Sequence, residues 1–148
     1  METASVLHLP LVLLGLIALA SAVQAQVVPP AAGTVLQLRV ELEQNMLEFS
    51  LVWGQSAFQQ ELGKDGSPAG GVFNLGNFEA QDGLDWLYSD GDSVWCKDEL
   101  GFSFKRQTVV HYTVNSAATA HSLDRVREPT PCFFEFYVSG PSSQPAEL

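Results

Sequence analysis

Few residues in this 148-residue sequence could do chemistry, and none of them stands in a catalytic motif. The sequence contains neither a Gly-x-Ser-x-Gly nucleophile turn nor a His-Glu-x-x-His zinc helix. No motif places two carboxylates as the acid and the nucleophile of a glycosidase. We therefore expect a protein that is not an enzyme, and a hydrolase is the least supported class.

Metal binding is the next chemistry to consider. His111 and His121 lie in or near β-type segments without ligand spacing, which favours structural or surface roles. An acidic stretch could hold Ca²⁺ through the following residues: Asp82, Asp85, Asp90 and Asp92. The stretch lacks the pattern of a Ca²⁺ loop, so a solvated turn is favoured. We predict no metal site and no cofactor.

Sugar binding is the third possibility. Trp53, Trp86 and Trp95 could stack on sugar rings, although most tryptophans in a small β domain belong to its core. A more specific pattern runs through three segments, Tyr88 to Cys96, Lys105 to Val110 and Val126 to Phe136. Their residues are Tyr-Ser-Asp-Gly-Asp-Ser-Val-Trp-Cys, Lys-Arg-Gln-Thr-Val-Val and Val-Arg-Glu-Pro-Thr-Pro-Cys-Phe-Phe-Glu-Phe.

This pattern resembles the mannose 6-phosphate receptor homology domain, a lectin module also found in the glucosidase II beta subunit and in lectins of endoplasmic-reticulum degradation. The family has Tyr, a Gly-containing turn and Cys, then Arg with a Val-containing strand, then Glu-Pro-x-x-Cys-x-Tyr. Upstream, Phe58 to Gln60 and Phe73 to Gly76 fall where the family has its binding Gln and a Leu-Gly strand. The resemblance covers about the last two thirds of the mature chain.

The resemblance implies a flattened β-barrel in which Gln, Arg, Glu and Tyr meet the hydroxyls of one mannose-type ring. Here the matching residues are Gln60 (or Gln59), Arg106 and Glu128. The Arg guanidinium holds several N–H donors in a fixed plane, and the Glu carboxylate accepts hydrogen bonds from neighbouring hydroxyls. A Gln amide can both donate and accept a hydrogen bond. The competing interpretation is a surface Gln and a structural Arg–Glu pair that bind nothing.

The sequence also departs from the family pattern. Phe134 replaces the fourth residue, Tyr, so one hydroxyl partner is missing, at a cost of about 0.5–1.5 kcal/mol. Cys96 and Cys132 match one family disulfide, whereas whole further pairs are absent. Trp95 stands where the phosphate-binding receptors have His, and the acidic turn before Cys96 would repel a phosphate. We therefore expect an unphosphorylated ligand.

The elements that would position these residues read as short strands. Apolar and polar residues alternate from Val35 to Leu42 and again from Leu47 to Trp53, which predicts a hairpin. Gly63 to Gly71 reads as a long loop, and Ser56 to Glu61 could wind as a helical turn. Further β-type runs bring the count to six or more strands, so the predicted fold is all-β, a flattened barrel or sandwich of short antiparallel strands.

The N-terminus reads as a secretory signal peptide. Val6 to Ala20 is apolar and ends in small residues, which predicts residues 1–25 as the signal and cleavage before Gln26. The mature chain then carries 16 acids (17 less Glu2) against 7 bases, a charge that disfavours nucleic acid and membrane surfaces. In an oxidising compartment its two cysteines are most simply one disulfide. We predict a flexible linker over residues 26–34, a lectin-like β domain over 35–139 and a disordered tail over 140–148.

The favoured function is a lectin-like domain of the secretory pathway that recognises mannose-type N-glycans or glycoproteins without phosphate, or that has lost this ability. The alternative is an accessory subunit that uses the same barrel as a scaffold for a partner enzyme. Its expected location is the lumen of the secretory pathway, as in the endoplasmic reticulum, lysosome or vacuole, or outside the cell.

Overall fold

The computed structural model of the chain describes residues 27–142. This part contains eight strands: β1 (Val35–Glu41), β2 (Met46–Val52), β3 (Ser56–Leu62), β4 (Pro68–Asp82), β5 (Asp85–Ser89), β6 (Gln107–Val114), β7 (Ser122–Thr130) and β8 (Phe133–Gly140). No α-helix occurs among these residues, so the all-β prediction is confirmed. The predicted signal peptide and its cleavage site lie outside the described residues.

The strands form one sheet in the order β1-β2-β3-β4-β5-β6-β8-β7. Every neighbouring pair is antiparallel except β6 and β8, which run parallel. After β6 the chain first forms the edge strand β7 and then returns as β8, which lies between β6 and β7 in the sheet. The two edge strands, β1 and β7, approach each other and nearly close the barrel. Hydrogen bonds between neighbouring strands pair the backbone N–H and C=O groups of the sheet, as burial of a backbone requires.

The core fills the inside of this barrel. Leu51, Tyr88, Val110 and Phe136 are fully buried there. Trp53 and Trp86 pack beside them, with ring centroids 4.9 Å apart. Each such side chain stabilises the fold by about 1.5–3 kcal/mol through its burial. Two of the three tryptophans therefore belong to the core.

Two local predictions were wrong. Residues 56–61, for which a helical turn was considered, form strand β3 between β2 and β4. The predicted loop over residues 63–71 is shorter, since β4 begins at Pro68. In both places the residues pair with a strand that is consecutive in the chain, and this pairing outweighs the local preference of the residues.

The two flanking segments contact the barrel where the structure describes them. The segment predicted as a linker donates the Gly33 N–H to the Trp53 carbonyl oxygen at 2.8 Å, and Pro30 within it is buried. Val27 pairs with Ser142, near the start of the predicted tail. The remainder of that tail, residues 143–148, lies outside the described residues.

Candidate functional site

Arg106 immediately precedes strand β6 and points into the barrel. Side chains alternate along a strand, and Arg106 shares its side with Thr108 and Val110, which are fully buried. Arg106 is itself only 7% exposed. A guanidinium at this depth requires a counter-charge, because an unpaired buried charge costs several kcal/mol.

Asp92 supplies that charge. Its Oδ1 accepts a short hydrogen bond from Nη1 of Arg106, and its Oδ2 accepts the backbone N–H of Asn74 at 2.8 Å. The backbone joins the same residues, because the N–H of Arg106 donates to the carbonyl oxygen of Asp92 at 3.0 Å. Gly91 permits this close approach, since a Cβ there would lie 2.5 Å from the Asn74 carbonyl oxygen. The guanidinium is therefore held from one side.

Arg106 keeps donors that Asp92 does not use. A guanidinium carries five N–H groups, and within residues 27–142 Asp92 is the only hydrogen-bond partner of this side chain. In the same part of the chain, no enclosed side-chain nitrogen or oxygen lacks a hydrogen-bond partner. The other Arg106 nitrogens are therefore not completely enclosed.

Phe73 forms the floor beneath the guanidinium. The Cζ atom of Arg106 lies 4.8 Å from the centroid of the Phe73 ring, a cation–π contact. Trp95 contacts the same ring at a centroid distance of 5.6 Å and is 82% exposed. Phe73 thus joins a buried cation to an exposed indole.

The strand register distinguishes the two candidate glutamines. Gln59 is paired with Phe49 on one side and with Phe73 on the other. Directly paired residues of neighbouring strands project from the same face of the sheet, so Gln59 lies on the inner face with both rings. Gln60 is paired with Glu48 and Val72 and lies on the outer face. Gln59 is the glutamine on the side of Arg106.

Glu128 lies near the other end of the site. It occupies an irregularity in the pairing of β7 with β8, between Arg127 and Thr130, and its Oε1 accepts the Cys132 N–H at 3.3 Å. The Cys132 carbonyl oxygen accepts the N–H of Gln107 at 3.2 Å. Glu128 is therefore connected to the start of β6, next to Arg106, through the backbone of Cys132.

Phe134 is a core residue beside this site. It is paired with Thr108 and packs against Phe49, with ring centroids 6.5 Å apart. The predicted orientation is confirmed, because Phe134 is buried together with Phe136 and Val138, its alternate neighbours along β8, and with Cys132 just before the strand.

The predicted disulfide is present. Cys96 and Cys132 are bonded, with Cα atoms 6.0 Å apart. The bond ties the loop that contains Asp92 to the turn between β7 and β8, near Glu128. It therefore connects two parts of the site that are distant in sequence.

The structure thus brings Gln59, Arg106 and Phe134 to one inner face and places Glu128 near the start of β6. It forms no Arg106–Glu128 salt bridge among the described residues. The sequence pattern did not identify Asp92 as the partner of Arg106. It also missed Phe73, although an aromatic residue before the Asn-Leu-Gly run was a visible signal.

Three of the four aspartates considered for Ca²⁺ have separate partners. Asp85 pairs with His111 at 2.7 Å and Asp90 with Lys105 at 2.6 Å, whereas Asp92 pairs with Arg106. No group of three or more His, Cys, Asp or Glu residues in the described ranges is arranged to hold a metal ion. The four side chains therefore do not form one cluster.

Two pKa shifts reflect contacts outside the site. Burial raises the pKa of Tyr88, whose hydroxyl oxygen accepts the Gly54 N–H at 2.9 Å. A hydrogen bond from Tyr137 lowers the pKa of Glu135, and the charges of Arg127, His111 and Arg125 add to this effect. Tyr88, which begins the sequence pattern, is thus a fully buried structural residue.

A pocket also lies away from Arg106. It is lined by the following residues: Glu41, Leu42, Asn45, Met46 and Lys64. None of them belongs to the predicted site. Within residues 27–142, no helix is long and apolar enough to cross a membrane.

Comparison with known proteins finds similarity in structure. No protein-family profile and no curated protein matches the sequence. The chain is similar to the MRH domain of glucosidase II beta in a crystal structure with bound mannose, at 21% identity, covering 74% of this chain and 92% of that one, with a TM-score of 0.49. The solution structure of a point mutant of the GBII-beta MRH domain gives 19% identity, coverages of 77% and 96%, and a TM-score of 0.47.

A third structure is the MRH domain of Yos9 in complex with alpha3,alpha6-Man5. It shows 19% identity, covers 71% of this chain and 74% of that one, and has a TM-score of 0.44. MRH denotes the mannose 6-phosphate receptor homology domain, which the sequence pattern also resembles.

Proposed function

We propose that the chain is a non-enzymatic, lectin-like domain that binds unphosphorylated mannose-type N-glycans through Arg106, Gln59 and Glu128. The observation that carries this proposal is the state of Arg106. Asp92 holds the guanidinium on one side, Phe73 packs against its face, and the nitrogens without a partner among the described residues are not completely enclosed. A purely structural ion pair has no need of guanidinium nitrogens that stay without a protein partner.

The chemistry of these residues suits a polyol. Fixed donors on Arg106 can bind two adjacent hydroxyl oxygens, the Gln59 amide can donate and accept, and the Glu128 carboxylate can accept. Because these groups are held by strands and a disulfide, the geometry is set before a ligand arrives, which reduces the entropy cost of binding. Such a site would select among sugars by the stereochemistry of their hydroxyls.

The test is the variant Arg106→Lys on a glycan array, followed by calorimetry with a mannose oligosaccharide. Lysine keeps a positive charge next to Asp92 but lacks the planar set of N–H donors of the guanidinium. The affinity for the mannose oligosaccharide should therefore fall by more than about tenfold. The matched control is Arg39→Lys, because Arg39 forms an exposed ion pair with Glu48 on β1. Equal binding by both variants would assign Arg106 to the fold alone.

The setting follows from the predicted signal peptide and the disulfide. Glycoproteins that carry mannose-type N-glycans, in the lumen of the secretory pathway or outside the cell, would be the partners. The acidic mature chain would bind neither nucleic acid nor, after cleavage of the signal, a membrane surface. Secretion into the medium, or retention in a lumenal compartment, of the tagged full chain tests this part.

The second candidate function is an accessory subunit that binds a partner enzyme. A turn in the β5–β6 loop favours it. Its backbone is capped by Asp98 Oδ1, which accepts the Leu100 and Phe102 N–H groups at 2.9 Å, yet Leu100 and Phe102 are 82% and 68% exposed. An ordered, exposed apolar tip is typical of protein contacts. Under this alternative, the double variant Leu100→Ser, Phe102→Ser would abolish co-purification of the enzyme and leave glycan binding unchanged.

A further inference from the structure

The pocket beside the turn between β1 and β2 is separate from the proposed sugar site. Its volume is about 230 Å³, and it is lined by the following residues: Glu41, Leu42, Asn45, Met46 and Lys64. Pockets for drug-sized ligands measure about 300–1,000 Å³, and a water molecule in the liquid takes about 30 Å³. The pocket therefore has room for a small molecule and not for an oligosaccharide.

Hydrogen bonds hold the turn that forms one side of the pocket. The Leu42 N–H donates to the Asn45 carbonyl oxygen at 2.8 Å and closes the turn. Nδ2 of Asn45 donates to Oε1 of Glu61 at 2.6 Å, which ties the turn to β3. The Oδ1 atom of Asn45 has no hydrogen-bond partner among residues 27–142, so it stays available as an acceptor.

The loop between β3 and β4 forms the other side. The Gly63 N–H donates to the Ser67 carbonyl oxygen at 2.8 Å. Oδ1 of Asp65 accepts the Ser67 hydroxyl at 2.6 Å and the Ser67 N–H at 3.1 Å, and these hydrogen bonds lower the pKa of Asp65. Lys64 lies between Gly63 and Asp65, so its backbone is fixed on both sides.

Glu41 and Lys64 carry opposite charges and line the same pocket, yet they do not pair with each other. The Lys64 nitrogen lies more than 4.0 Å from the Glu41 carboxylate oxygens, and neither side chain has an ion-pair or hydrogen-bond partner in the described part of the chain. Two separated charges of opposite sign suit a ligand that carries both charges, because each charge of the ligand then meets its counter-charge.

We propose that this pocket binds a free α-amino acid with an aliphatic side chain. Lys64 binds the carboxylate of the ligand, and Glu41 and Oδ1 of Asn45 accept hydrogen bonds from its ammonium group. Leu42 and Met46 provide apolar contacts for its side chain. This inference goes beyond the sugar-binding function and does not rest on it, since the pocket shares no residue with the proposed sugar site.

The experiment titrates three probes into the purified, isotope-labelled full chain and follows the backbone N–H signals by NMR. L-leucine carries both charges, isoamylamine is leucine without the carboxylate, and isocaproate is leucine without the amine. We expect L-leucine to shift the signals of residues 41–46 and of Lys64. Each probe with a single charge should bind at least about tenfold more weakly, because one charge-assisted contact is lost.

Two variants assign the site. Lys64→Gln and Glu41→Gln should each weaken L-leucine binding by about tenfold. Glu43→Gln is the matched control, because Glu43 is an exposed acid of the same turn that does not line the pocket, and it should bind L-leucine as wild type does. All three substituted residues are exposed, so thermal unfolding of the variants should match that of wild type.

Three results would overturn the inference. They are the absence of L-leucine-dependent shifts at residues 41–46 in wild type, equal affinity of wild type and either charge variant, and equal affinity of wild type for the three probes. Titration of the same samples with a mannose oligosaccharide tests the function proposed for Arg106 separately. Mannose binding without leucine binding would reject this pocket and leave that function standing, and leucine binding without mannose binding would do the reverse.

Discussion

Asp92 holds Arg106 through both the side chain and the backbone. Its carboxylate accepts from the guanidinium and from the Asn74 N–H, and its carbonyl oxygen accepts the Arg106 N–H. This carboxylate lies in an acidic turn that could be taken for a solvated surface. Its contacts instead make it the support of the one deeply buried cation in the described residues.

The first prediction concerns this support. Asp92→Asn leaves the Arg106 charge without its counter-charge, so the free energy of unfolding should fall by about 2–3 kcal/mol. Urea denaturation measures it. Asp90→Asn is the control, since Asp90 pairs with Lys105 in the open and should change stability by less than about 1 kcal/mol. Similar small losses in the two variants would contradict the prediction.

The second prediction separates the two glutamines. Gln59→Ala should weaken mannose binding about threefold to tenfold, the worth of one hydrogen bond, because Gln59 shares the inner face with Phe73. Gln60→Ala, on the outer face, should bind as wild type does. Calorimetry on both variants checks it, and a loss confined to Gln60→Ala would reverse the assignment.

The third prediction concerns the residue that departs from the family pattern. Phe134→Tyr adds a hydroxyl on the inner face of β8, and the extra hydrogen bond should tighten mannose binding by up to about tenfold. Phe133→Tyr is the matched control, because Phe133 is the next residue on β8 and is 40% exposed. An unchanged affinity of Phe134→Tyr would limit Phe134 to a role in the core.

The fourth prediction is that a phosphate on the sugar does not tighten binding. Asp90 and Asp92 are neutralised by Lys105 and Arg106, which leaves Glu128 as a negative charge without a salt bridge among the described residues. A terminal phosphate adds up to about two negative charges near pH 7, and low salt should increase the repulsion.

Competition between mannose and mannose 6-phosphate, with and without Mn²⁺, measures this preference. A metal-free preference for the phosphorylated sugar would overturn the prediction. Lys97→Gln would then show whether Lys97, a nearby exposed base, is responsible for the preference.

The sequence by itself determined strands β1, β2 and β8 and the faces of their side chains. The period-two alternation of β1, β2 and β8 identifies the buried residues without any knowledge of their neighbours, because successive side chains of a strand point to opposite sides. The orientation of Phe134 followed from this rule. The disulfide followed from an even pair of cysteines and was confirmed.

Only the tertiary structure decided which polar groups meet. Gln59 and Gln60 are adjacent and identical in residue type, so the sequence does not distinguish them. The register of β3 against β2 and β4 assigns them to opposite faces of the sheet. Residues 56–61 became a strand for the same reason, since their partners lie on β2 and β4. Asp92 and Arg106 are 14 residues apart, and their pairing depends on the approach of Gly91 to Asn74. Such contacts arise from chain segments that are brought together by the whole barrel, so no local pattern of residues encodes them.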